Sequence, residues 1–184
     1  LFKTLFNKPK QPKRLKNKRS INLTILIPIF NEEKNLEELI NQIYKDNKKK
    51  FNVTMINDLS TDDSLNILKK YKDIYKYDII NRENKRGYVA GVLNDGLNSI
   101  INNDNVNYIG VINADCILEK NLIDNVIDYL ENYDITALNI SNQAKYNKNI
   151  WQYFANLEKS FKNNLFYNVE ASLNNGYFIE KKIL

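Results

Sequence analysis

Apolar segments of two lengths alternate along this chain, and that alternation restricts the available folds more than any other feature. Asn22-Leu23-Thr24-Ile25-Leu26-Ile27 is a β-branched run stopped by Pro28, which reads as a buried strand. Leu36, Leu39, Ile40, Ile43 and Tyr44 then recur at helical spacing, with Asn31 placed to cap the helix and Glu32 and Glu33 in its first turn. Phe51 to Ile56 reads as a second strand, and Leu65, Leu68, Tyr71 and Tyr75 mark a second helix starting at Asp62 or Asp63. Tyr77 to Ile80 gives a short third strand. Val89 to Ile101 is a third helix, with Val89, Val92, Leu93, Leu97, Ile100 and Ile101 as its apolar positions. Tyr108 to Ile112 is the fourth strand, Leu122 to Leu130 the fourth helix and Thr136 to Ile140 the fifth strand. Trp151, Phe154, Leu157, Phe161 and Leu165 stripe one more helix. Strand and helix in turn at this spacing predict an α/β domain with a mainly parallel sheet and right-handed crossovers.

What the chain lacks narrows the chemistry. It has no His, which excludes His-based catalysis and His-ligated zinc. Its single Cys, Cys116, excludes an internal disulfide and fits a reducing compartment. No run of roughly 18 apolar residues is present to span a bilayer. The net charge of +5 is concentrated in a tail. Residues 1–20 hold eight Lys or Arg and no acid, and the remainder carries fewer basic residues than acidic ones. We therefore divide the chain into a basic segment, 1–20, and one domain, 21–184. The segment reads as a solvated arm or as a juxtamembrane stretch obeying the positive-inside bias and touching anionic lipid. A nucleic-acid-binding arm is a third reading, disfavoured because the tail lacks aromatics interleaved with its charges apart from Phe2 and Phe6. The chain starts at Leu1 and is expected to be a piece of a longer protein.

In a parallel sheet the strand ends gather on one edge, and ligands sit beyond the carboxyl ends. The first end offers Pro28-Ile29-Phe30-Asn31-Glu32, and the second Asn57-Asp58-Leu59-Ser60-Thr61-Asp62. The third offers Asn84-Lys85-Arg86-Gly87-Tyr88, and the fourth Asn113-Ala114-Asp115. A flat aromatic, two carboxylates, a basic pair and several amides would converge there. These are the parts that bind a pyrimidine nucleoside diphosphate: a stacking face, an acceptor for a ring N–H, and positive charge or a hard cation for phosphate.

The same stretches, in this order, resemble the family 2 glycosyltransferases. Ile25 to Glu33 is similar to that family's opening strand and turn, and Ile56 to Ser64 to its second corner. Arg86 to Gly96 resembles its glycine-led helix start, and Asn113-Ala114-Asp115 its Asp-x-Asp metal motif. Asn175-Gly176-Tyr177-Phe178-Ile179-Glu180-Lys181-Lys182 is similar to the turn and strand that follow. The resemblance runs over nearly all of 21–184. With the basic head, it leans toward the membrane-bound polysaccharide synthases, at the cytoplasmic face of a membrane.

The resemblance implies a Rossmann-like GT-A fold, an α/β/α three-layer arrangement. It also implies transfer of a sugar, with inversion, from a nucleoside diphosphate donor, UDP favoured, to a carbohydrate or lipid-linked acceptor. Pro28, Phe30, Asn31 and Glu32 would form the first donor-binding corner, with Phe30 packed against the base. Asp58 would accept the uracil ring N–H, and Arg86 would lie near base or phosphate. Asp115 would hold Mg2+ or Mn2+, with Asn113 as second ligand or facing the donor sugar.

The chain departs from the family pattern at several positions. Asn57 replaces an acid, and Leu59 replaces a Gly, so that turn is expected to avoid positive φ. Asn113 replaces the first Asp of the metal motif, and Val89 stands where the synthases keep a Lys. The family's acidic base segment and its Gln-x-x-Arg-Trp segment are expected after Leu184. Glu170 and Glu180 are the nearest acids within the chain. A non-catalytic nucleotide-sugar-binding relative is the alternative these departures suggest.

Overall fold

The computed structural model describes residues 12–83, 86–140 and 176–184. The expected helix over Trp151–Leu165, the pair Asn84-Lys85 and the acid Glu170 lie outside them. The strands are β1 (Leu23–Ile29), β2 (Asn52–Asn57), β3 (Asp78–Asn81), β4 (Tyr108–Ile112), β5 (Ala137–Asn139) and β6 (Gly176–Glu180). The helices are α1 (Glu33–Lys45), α2 (Ser64–Tyr75), α3 (Tyr88–Ile100) and α4 (Leu122–Asn132). The six strands form one sheet in the order β3-β2-β1-β4-β6-β5. β3, β2, β1 and β4 run parallel. β6 is antiparallel to both of its neighbours, β4 and β5, which makes the sheet mixed and mostly parallel.

Alternation along the strands builds two cores. Leu23, Ile25, Ile27 and Ile29 of β1, with Val53, Met55, Tyr108 and Ile112, face α1, α2 and α4. Leu26, Ile56, Ile109 and Val111 point the other way, onto Val92 and Ile100 of α3. Period-2 burial on both faces is what a sheet covered by helices on both sides requires. β4 has a Gly, Gly110, where the α1 side needs room. Its cross-strand partner Phe178 lies over it, and a Cβ on Gly110 would sit 2.6 Å from the Phe178 ring.

Polar side chains fix the loops between the layers. Asn47 donates to the last carbonyls of α1, at Gln42 and Ile43, while its Oδ1 accepts the amides of Ile123 and Asp124. Asp124 answers by accepting the Lys48 and Lys49 amides. These contacts satisfy the open ends of α1 and α4 together.

Residues 12–20, the described part of the basic segment, run along the carboxyl end of α4. Leu15 and Arg19 donate backbone N–H groups to Asn132 and Glu131, and Asp134 donates to the Lys13 carbonyl. The Arg19 guanidinium donates to the carbonyls of Leu130, Tyr133 and Ile135 at 2.7–2.9 Å. The same cation lies 5.1 Å from the centre of the buried Tyr108 ring. Burial pushes the Tyr108 hydroxyl up to about 12, against the opposing pull of Arg19. That hydroxyl donates to Ile135.

The sequence-based boundaries shift by small amounts. The third strand ends at Asn81, not Ile80, and Tyr77 before it is buried with its hydroxyl donating to Leu68 at 2.6 Å. Val89 is 62% exposed, so it belongs to the outer face of α3 and not to the core stripe. Asn31 does not cap α1. Its φ of 55° puts it in the left-handed region, and Glu32 takes the N-cap position. Leu59 does not avoid positive φ either. It stands at 60°, a conformation disfavoured for a branched side chain.

Candidate functional site

Three neighbouring parallel strands, β2, β1 and β4, end on one edge of the sheet, and Asp58, Phe30 and Asn113 each follow the last residue of one of them. Pro28 sits inside β1 opposite Ile56 of β2, so the strand end has one fewer ladder donor. Adjacent strands lie about 4.8 Å apart. The ends of β2 and β4, flanking β1, are therefore roughly 10 Å apart.

The first two corners interlock. The Asn31 amide donates to the Ser60 hydroxyl, and Asn31 Oδ1 accepts the Thr61 amide at 2.7 Å. The Glu32 amide donates to the Ser64 hydroxyl, and the Glu32 carboxylate accepts from Asn35. Asp62 spans both turns, accepting the Glu33 and Ser64 amides at 3.0 Å each. Partial burial pushes the Asp62 carboxyl up, but hydrogen bonds from Ser64, Glu33 and its own amide outweigh that and hold it below the usual range. Asp62 thus joins the starts of α1 and α2, while Asp63 occupies the N-cap of α2 without a side-chain cap bond. Asn57, where the family pattern has an acid, donates to Asn81 Oδ1 at 2.7 Å across the β2–β3 pair. An amide suits that place because it both donates to Asn81 and accepts from the Ser60 amide.

Asp58 is the most enclosed acid of the edge, 2% exposed. Its Oδ1 accepts Arg82 Nη1 at 2.7 Å and the Gly87 amide at 2.8 Å. Arg86 Nε approaches Oδ2 at 3.6 Å, an ion-pair distance too long for a hydrogen bond. The Arg86 guanidinium lies 3.4 Å from the centre of the Phe30 ring and 4.7 Å from that of Tyr88. Arg86 thus makes cation–π contacts with two aromatic rings. Phe30 is half-buried and Tyr88 is 66% exposed with a φ of 48°. Asn31, Leu59 and Tyr88, three of the five non-glycine residues with positive φ among the described residues, stand on these corners. Such backbone strain concentrates at functional sites.

The fourth corner is a turn closed by the Cys116 amide donating to the Asn113 carbonyl at 3.3 Å. Ala114 points inward, 3% exposed, while Asn113 is half-buried and Asp115 exposed. Cys116 Sγ lies 3.9 Å from Asp115 Oδ1. The loop beyond is tied to α1 by the Leu118 amide donating to Gln42 Oε1 at 2.8 Å. Among the described residues no group of three acids, Cys or His could enclose a metal ion. One exposed carboxylate with a neighbouring amide still fits Mg2+ or Mn2+, hard cations that complete their shells with water and substrate phosphate.

The sequence does not single out Arg82 or Asp95, and it places Tyr88 in the third corner without indicating its contact with Arg86. Arg82 precedes the third corner by two residues, and its signal in the sequence is a cation directly after the strand end. Glu180, one of the acids nearest the expected base position, pairs with Tyr108 at the start of β4. That is the opposite edge of the sheet from Asp58 and Asp115. A cleft of about 480 Å³ also lies on that far edge, lined by Asn22, Tyr44, Lys49 and Asn105 among others. It shares no residue with the corners described above.

Comparison with solved structures supports the same architecture. A mannosyltransferase from Pyrobaculum calidifontis, in complex with GDP-Man and Mn2+, is 13% identical at a TM-score of 0.66, covering 95% of this chain and 49% of its own. Glucosyl-3-phosphoglycerate synthase from Mycobacterium tuberculosis, with Mn2+, UDP and glucosyl-3-phosphoglycerate, is 14% identical at 0.55, covering 89% and 58%. TarS 1-349 of S. aureus, in complex with UDP-GlcNAc, is 22% identical at 0.52, covering 59% and 30%. The chain therefore spans between 30% and 58% of the length of these structures. At these identities the likeness shows the fold, a Rossmann-like α/β arrangement of the GT-A type. No curated protein matches the chain. The family model for Glycosyl transferase family 2 matches residues 24–180, and the chain belongs to that family.

Proposed function

We propose that residues 21–184 form the donor-binding domain of an inverting glycosyltransferase that uses a nucleoside diphosphate sugar, with UDP favoured. The observation that carries this reading is the corner at β2, where an enclosed carboxylate, Asp58, lies beside an Arg86–Phe30 stack. An edge acceptor next to a planar face matches a uracil ring, which offers an N–H on its edge and a π surface. Solved relatives of the same fold hold UDP, UDP-GlcNAc or GDP-Man, two of them with Mn2+. Pro28, Asn31 and Glu32 belong to the same strand end as Phe30, with Asn31 and Glu32 hydrogen-bonded to the turn after Asp58, and Asn113 and Asp115 follow β4 on the far side of β1. Asp115, with Asn113 as second oxygen ligand, would hold Mg2+ or Mn2+, and the bound ion would supply positive charge to a leaving diphosphate.

We further propose that the domain belongs to a synthase-type protein at the cytoplasmic face of a membrane, with residues 1–20 as its juxtamembrane segment. Its acceptor is then a carbohydrate or a lipid-linked glycan. Lys13, Lys16 and Lys18 are exposed on the docked arm, where anionic headgroups could reach them. No residue of this chain is assigned as catalytic base. A non-catalytic binding relative is the second reading, favoured by the neutral Asn113 in the metal corner.

Isothermal titration of UDP with and without MnCl2 tests the donor site. Binding should be strengthened by Mn2+, lose that strengthening in Asp115→Ala, and weaken in Asp58→Asn. A chain that ignores UDP under all of these conditions refutes the proposal. Hydrolysis of UDP-sugars by the full-length gene product separates enzyme from binder.

A further inference from the structure

Arg82 occupies a place that the donor reading does not by itself explain. It follows the last residue of β3 and donates its backbone N–H to the Asn57 carbonyl at 3.0 Å, which anchors its stem beside Asp58. Its Nη1 meets Asp58 Oδ1 at 2.7 Å, and its Nε meets Asp95 Oδ2 on α3, also at 2.7 Å. The guanidinium lies directly over Gly87, where any Cβ would come within 1.6 Å of Nη1. One planar cation therefore joins the ends of β2 and β3 to the second turn of α3. A lysine could not do this, because a single ammonium cannot deliver two divergent, coplanar donors.

The consequence falls on Asp58. Its Oδ1 is taken by two donors, Arg82 and the Gly87 amide. Its Oδ2 is left toward Arg86, and hence toward the Phe30 stack. The enclosed carboxylate is thus held in one orientation, with a single oxygen presented to whatever lies beside that stack. Resting on the donor reading above, we propose that Arg82, braced by Asp95, is a positioning residue that aims Asp58 Oδ2 so that the site selects a nucleobase presenting a ring N–H over one presenting a ring acceptor. Uracil presents an N–H at N3 and can donate to the fixed oxygen. Cytosine presents a lone pair at the same position, which faces the carboxylate without a proton between them. A site built around a fixed acceptor rejects the mismatched ligand because its own buried group is left unpaired. If the acid could rotate, that discrimination would fall.

Titration of UDP and CDP into the full chain at constant MnCl2 tests this, alongside thermal midpoints. The wild type should prefer UDP by about tenfold or more. Arg82→Lys keeps the charge but cannot serve both acids, and should bring the UDP-to-CDP ratio to within about threefold. Asp95→Asn removes only the brace on the helix, at a side chain 43% exposed. It should leave the chain folded and lower the ratio to an intermediate value, so it decides the matter if Arg82→Lys does not fold. Two results overturn the assignment while leaving the donor reading intact. One is a wild-type ratio preserved in the variants. The other is an equal loss of UDP and CDP affinity, which is what a merely structural role predicts. A wild type that binds neither nucleotide defeats the donor reading, and this inference with it.

Discussion

Replacing Gly87 by alanine isolates the packing of Arg82 against the turn before α3. The backbone at Gly87 has φ −98° and ψ −8°, which alanine adopts without strain. Any effect must then come from the new methyl group, which would stand 1.6 Å from Arg82 Nη1 and 2.4 Å from Cζ. The guanidinium must leave, breaking its contacts to Asp58 and Asp95. Asp58, with a side chain only 3% exposed, would retain the Gly87 amide and the 3.6 Å approach of Arg86. Stranding a buried acid completely costs about 3–5 kcal/mol. With Arg86 at hand to take over part of the pairing, we expect a loss of about 2 kcal/mol. For a chain of this size that corresponds to a fall in Tm of about 4–8 °C. Urea unfolding of Gly87→Ala, Arg82→Ala and the double variant closes a thermodynamic cycle. In the Arg82→Ala background the methyl no longer meets the guanidinium, so Gly87→Ala should then cost no more than about 0.5 kcal/mol. Equal losses in the two backgrounds would refute the packing described here, and with it the explanation of why this position is glycine.

Other expectations follow from single contacts. Gly110→Ala places a methyl 2.6 Å from the fully buried Phe178 ring; it should destabilise the chain by about 1–3 kcal/mol in urea unfolding, and Phe178→Leu in the same chain should recover part of that. Lys76 closes α2 in the left-handed conformation, φ 58° and ψ 48°, and is exposed; Lys76→Gly should raise stability by about 0.5–1 kcal/mol, and a lowered Tm would contradict that cap geometry. The depressed Asp62 carboxyl contributes stability that is fully present above its unfolded value, near 3.8, and is lost as pH falls through its lower folded value. Asp62→Asn should therefore flatten the acid limb of a stability–pH curve and cost about 1 kcal/mol at neutral pH, measured by urea unfolding at each pH.

Much of the frame was legible because burial on a sheet imposes simple periods. β1, β2 and β4 could be read directly, since Ile25, Met55 and Ile109 sit in runs with no polar interruption long enough to end a strand. The candidate edge was legible as well, because Phe30, Asp58 and Asp115 follow those runs at once. Orientation was harder to read. Nothing in Gly176–Glu180 reveals that β6 enters the sheet antiparallel between β4 and β5, because strand direction depends on the path of the preceding chain and not on the strand's own residues. Local conformation also resisted reading. Asn31 looked like a cap because Asn is a good one, yet the turn gives it positive φ and spends its side chain on Thr61. Leu59 took the same conformation despite its branching, since the interlocked corners determine the backbone there. Arg82 was invisible for a different reason: its partners, Asp58 and Asp95, are distant in sequence and meet it only once β2, β3 and α3 are assembled.

Arg19 gives the domain a mechanical property. Its guanidinium holds the carbonyls of Leu130, Tyr133 and Ile135, more than a hundred residues further along the chain. A tug applied ahead of Pro12 is therefore delivered first to the far end of α4 and the turn into β5, before any tension reaches β1. The central strand, whose end carries Phe30, is in effect moored by a line made fast elsewhere, so jostling at the arm leaves the corner around Phe30 and Asp58 undisturbed until that mooring gives way.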